Sequence, residues 1–133
     1  MEKRGKDNPW ILKTPPQSST YEMYVDEKDG EEIIVCTVGK TVLHYRYRCL
    51  EDLHKMLTDH GDWILLGSKD EKQDTKPDTV EHWARSADNP VGGWYGLKKN
   101  FRGRFAMYIP PLMEELGLAE VEHNKRNNRM KAL

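Results

Sequence analysis

Gly39-Lys40 separates two runs of strand-forming residues, 31–38 and 41–47. A two-residue loop with glycine at its first, positive-φ position joins antiparallel strands in one register only. Position 38 then faces 41, 36 faces 43 and 34 faces 45. Ile34, Cys36, Val38, Leu43 and Tyr45 share one face and are predicted core, while Ile33, Val35, Val42, His44 and Arg46 form a mixed, half-covered opposite face. A third β-branched and aromatic run at 19–25 makes this an antiparallel β-meander.

After the meander the period changes. Leu50, Leu53 and Leu57 recur at spacings of three and four with Met56 on the same stripe, and Gly61 supplies a stop, which predicts a helix. Residues 62–66 form a short apolar run, a fourth strand. Residues 68–78 are charged, lack periodicity and contain Pro77, so they read as an exposed loop. Asp78 and Glu81 resemble a capping box that opens a short helix through Trp83 to about Arg85. A further helix is expected from Trp94, pausing near Gly103 and resuming from Met107 to Leu116, with Pro110-Pro111 at a helix start or a kink. Two strand-like runs at 118–123 and 129–133, separated by a polar turn at 124–128, predict a closing β-hairpin. Residues 1–20 hold Pro9, Pro15 and Pro16 and read as an extended leading segment without regular structure, Trp10, Ile11 and Leu12 tucked against the domain. The expectation is one α+β domain over 1–133, divided as 1–20 leading segment, 21–66 meander plus helix, 67–78 loop, and 79–133 helices and hairpin.

No apolar run approaches the roughly 18–20 residues that span a bilayer, and the charged start has no apolar stretch behind it. The sequence therefore predicts no membrane segment and, by elimination, a cytoplasmic location. Two cysteines, Cys36 and Cys49, supply neither a disulfide framework nor a zinc cluster. The net charge of −1 hides an asymmetry: residues 98–133 carry eight basic against four acidic side chains, and the rest of the chain carries the acidic excess.

Gly39-Lys40-Thr41 ends like a phosphate-binding loop, but the first glycine of that motif would fall on Ile34 and no helix should follow. The five histidines are scattered without Cys or His partners at metal spacing. Glu51 and His54 share a helix face at i, i+3, with no second such pair. Cys49 near His44 or His54 could form a thiol–base pair, yet it opens a helix beside an apolar stripe, where a structural thiol is the better reading. No cofactor is implied.

Residues 94–105 are different, because they interleave Trp94, Tyr95, Phe101 and Phe105 with Lys98, Lys99, Arg102 and Arg104. Cations neutralise phosphates and aromatic faces stack on unpaired bases. The competing reading is an amphipathic helix, with Trp94, Leu97, Phe101 and Phe105 as its core stripe and the cations as its wet face. The leading functional expectation is a non-enzymatic domain that contacts nucleic acid backbone through Lys98, Lys99, Arg102, Arg104, Lys125, Arg126 and Arg129. A second is a protein-interaction or self-association module built on charge complementarity. A third is an enzyme with a site near the Gly92-Gly93-Trp94 loop, Trp94 and Tyr95 forming the ligand loop close to His82.

Gly117 to Glu122, then Asn124 and Arg126, then Arg129, resembles the wing of bacterial winged-helix regulators. That resemblance implies a hairpin whose arginines touch the DNA backbone. The preceding residues, Glu114 and Glu115, offer acid where a recognition helix would meet bases and phosphates, so sequence-specific duplex reading is not expected. Asp7-Asn8-Pro9-Trp10, residues 89–99 and residues 116–130 make the chain similar, over nearly its whole length, to a family of small uncharacterised prokaryotic proteins. That resemblance implies one cytoplasmic domain and no particular activity.

Overall fold

The computed structural model describes residues 2–133. The meander is present with the predicted register: β3 (Glu31–Val38) and β4 (Thr41–Arg46) pair Val38 with Thr41, Cys36 with Leu43 and Ile34 with Tyr45. Gly39 takes φ +57° at the first turn position, a conformation that glycine adopts without the steric penalty a Cβ would bring. β2 (Thr20–Lys28) flanks β3 on its other side.

The leading segment departs from expectation. Trp10–Lys13 forms β1, which pairs with β2, so the sheet runs β1-β2-β3-β4. Alternation is the cause: Trp10 and Leu12 are buried while Ile11 and Lys13 face out. α1 (Cys49–His60) buries Cys49, Leu50, Leu53 and Leu57, and ends on Gly61, whose N–H donates to the Leu57 carbonyl.

The run at 62–66 contributes β5 (Ile64–Leu65), but not to the meander. It joins β6 (Ala119–Val121) and β7 (Arg129–Ala132) in a second antiparallel sheet of order β5-β7-β6. Between β5 and β6 come α2 (Val80–Trp83) and α3 (Phe105–Glu115). Thr79, not Asp78, caps α2: its Oγ1 accepts the His82 N–H at 3.2 Å, and Asp78 sits at φ +63°. Glu81 is buried and makes no return contact of the capping-box kind.

The expected helix from Trp94 is absent. Residues 94–104 are loop, with Asn100 at φ +74° and Arg104 at φ +58°, both incompatible with a continuous right-handed helix. This loop runs along the outer edge of β4, where the Arg46 N–H donates to the Tyr95 carbonyl and the Leu97 N–H to the His44 carbonyl. It thereby covers the backbone edge of that strand. Pro110 and Pro111 lie inside α3 rather than at its start, so the carbonyls of Ala106 and Met107 are denied the regular i+4 donor. Burial holds this helix together: eight of its eleven residues are buried, and the Tyr21 hydroxyl donates to the Tyr108 carbonyl at 2.7 Å. One continuous core joins Met23 and Tyr45 of the first sheet, Leu53 of α1, Ile109 of α3 and Met130 of the second sheet.

Candidate functional site

The segment at 67–78 is less exposed than its composition suggests. Gly103 packs on its backbone so tightly that an added Cβ would strike Asp70 and Glu71. The Arg104 N–H donates to the Lys69 carbonyl at 2.7 Å, and Arg85 donates to the carbonyls of Lys69 and Asp70 at 3.2 Å each. Residues 69–71 are thus pinned, and Lys69 and Lys76 line the same cavity as the hairpin turn.

That cavity has a volume of about 330 Å³. Pro15, Pro16, Leu65, Leu66 and Met107 give it apolar walls, and Lys69, Lys76, Lys125 and Arg126 give it charge. Among the described residues none of these four cations forms an ion pair. Ser68 also lines it, and the Ser68 Oγ is buried without a hydrogen-bond partner. The cavity is therefore rich in donors and poor in acids. His123 secures its rim: Nε2 lies 2.7 Å from Glu114 Oε2, and Nδ1 lies 2.9 Å from the carbonyl of Pro15. Partial burial would depress this imidazole, but the contacts to Glu114 and Pro15 outweigh it and raise its pKa above 6.5.

The other basic residues read from the sequence lie elsewhere and are mostly engaged. Arg102 is paired with Glu71, Arg104 lies 4.0 Å from Asp70, and Arg129 pairs with Glu122 at 2.8 Å. Lys98 donates to the Val42 carbonyl at 3.4 Å and sits over the Phe101 ring, whereas Lys99 is exposed. Of the seven, only Lys125 and Arg126 border the 330 Å³ cavity. Lys69 and Lys76 were missed because they belong to a charged loop far from the hairpin in sequence. Their only sequence signal was cationic side chains in a segment without periodicity.

Trp94 and Tyr95 have structural partners. The Trp94 ring is held between Arg85 at 4.3 Å and Arg102 at 4.5 Å. Tyr95 is fully buried, stacks on Trp83 at 5.0 Å and donates its hydroxyl to Asp52 at 2.8 Å. Phe105 is core and Phe101 is exposed, so the aromatic string divides between both environments. His82 bonds Thr75 at 2.8 Å. Cys49 is buried with Asp52 as its charged influence, and burial pushes its thiol up, the reverse of activation.

Among the described residues, no group of three or more His, Cys, Asp or Glu is placed to hold a metal, and no helix is long and apolar enough to cross a membrane. No curated protein and no solved structure matches the chain. A family model does match, over residues 2–133, and the chain belongs to that family of unknown function, DUF6855.

Proposed function

We propose that this chain is a nucleic-acid-binding domain that grips the phosphodiester backbone with Lys69, Lys76, Lys125 and Arg126. The carrying observation is that four cations without carboxylate partners border one cavity. Cations left unpaired in the folded chain are those whose counterions a polyanion can release. The order β5, α2, α3, β6, β7, with sheet order β5-β7-β6, supports the reading because it is similar to a winged-helix arrangement, the 124–128 turn standing where a wing would be.

Contact in this reading is directed at the backbone, not at base edges of a duplex. α3, the counterpart of a recognition helix if the arrangement is read as a winged helix, buries eight of eleven residues and ends in exposed Glu114 and Glu115. Association through charge complementarity has less support, because Arg102, Arg104 and Arg129 already find acidic partners within the chain. The test is binding of a labelled random-sequence oligonucleotide at low ionic strength. Binding that weakens steeply with salt is expected, and no detectable binding would overturn the proposal.

A further inference from the structure

The cavity offers more than charge, and its shape bears on which nucleic acid it takes. Resting on the nucleic-acid reading, we propose that the cavity admits one unpaired nucleotide, its base against the apolar walls and its phosphate at the cationic rim. The ligand is then single-stranded.

Volume is the first argument. About 330 Å³ lies at the low end for small-molecule sites and suits one nucleotide. A backbone clamp alone needs no concavity, whereas a base removed from its stack needs a pocket with apolar faces. Pro15, Leu65, Leu66 and Met107 supply those faces.

Polar chemistry is the second. Ser68 lines the cavity, and its Oγ, buried and unpartnered, is a donor and acceptor that no protein group satisfies. Met107 lines the same cavity, and Pro110 and Pro111 deny its carbonyl both the i+3 and the i+4 helix donor. Base amino and imino groups are donors that such acceptors match. Inorganic phosphate would satisfy the lysines and leave these acceptors open. A base-paired nucleotide could not enter, and α3 offers a duplex no free face.

The experiment compares four probes on the full chain by anisotropy and competition: a labelled 12-nucleotide single strand, its blunt duplex, the same strand with abasic sites, and adenosine monophosphate. The expected result is binding of the single strand about tenfold tighter than either the duplex or the abasic strand, with the monophosphate a weak competitor. Ser68→Leu adds bulk at the cavity wall without breaking a side-chain hydrogen bond or removing a cation. It should abolish discrimination between intact and abasic strands while leaving the salt slope unchanged. Equal binding of intact strand, abasic strand and duplex would overturn the inference while leaving backbone binding standing. Discrimination that survives in a folded Ser68→Leu variant would also overturn it, as would a monophosphate that binds as tightly as the strand. Absence of binding to every probe would remove both this inference and the function on which it rests.

Discussion

Glu81 Oε1 accepts the backbone N–H of Ala106 at 2.9 Å, so a carboxylate on α2 caps the start of α3. Its other oxygen takes the Phe105 N–H at 3.3 Å and an Arg85 nitrogen at 3.1 Å. Glu81 is only 1% exposed, and Arg85 reaches onward to the 67–78 loop, so this carboxylate ties both helices to one wall of the cavity. Glu81→Ala should destabilise the fold by about 3–5 kcal/mol, because it takes the carboxylate from the buried Arg85 and leaves the Phe105 and Ala106 N–H groups without an acceptor. Glu81→Gln keeps one acceptor oxygen and should cost less, about 1–3 kcal/mol. Urea denaturation of both variants checks the size and the order.

Gly103 tests the docking of the loop. An added Cβ meets the backbone of Asp70 and Glu71, which cannot yield as a flexible side chain would. Gly103→Ala should lower stability by about 1–3 kcal/mol and speed amide exchange in residues 69–71. Hydrogen exchange reads the second effect directly.

His123 makes stability depend on pH. Its folded pKa is raised above 6.5, so folding favours the imidazolium. The contribution is fully present below about 6.5 and is lost as pH rises through the raised folded value. The wild-type midpoint of thermal unfolding should therefore fall across that window by more than the midpoint of His123→Gln does. Melting curves at about pH 6 and about pH 8 compare the two.

Both thiols should be inert. Burial pushes the Cys36 and Cys49 thiols up, and neither is exposed at all. A disulfide reagent added to native protein should modify neither, and both should react once denaturant unfolds the chain.

What the sequence revealed was local. The meander register followed from a two-residue turn, and α1 from a leucine stripe with a glycine stop, both settled within a few residues. β1 was masked by prolines, although Trp10 and Leu12 alternate as a half-buried strand should. Trp94, Leu97, Phe101 and Phe105 have helical spacing by coincidence; the edge of β4 claims Tyr95 and Leu97, and positive φ at Asn100 and Arg104 ends any helical path. The candidate site was half visible. Lys125 and Arg126 stood out in a basic turn, but Lys69 and Lys76 join them through pairing of β5 with β7, which places segments distant in the chain on one cavity. Ion pairing was equally hidden, since nothing in the charge count assigns Glu71 to Arg102 or Glu122 to Arg129.

That division between paired and unpaired cations is the claim most open to measurement. The salt dependence of single-strand binding should be compared for Lys125→Gln/Arg126→Gln and for Arg102→Gln/Arg129→Gln, both confirmed folded. At about 0.7 per phosphate contact, the first pair should reduce the slope of log K against log salt by about 1.4, and the second should leave it close to wild type. Equal reductions from both pairs, or no change from the first, would contradict the account.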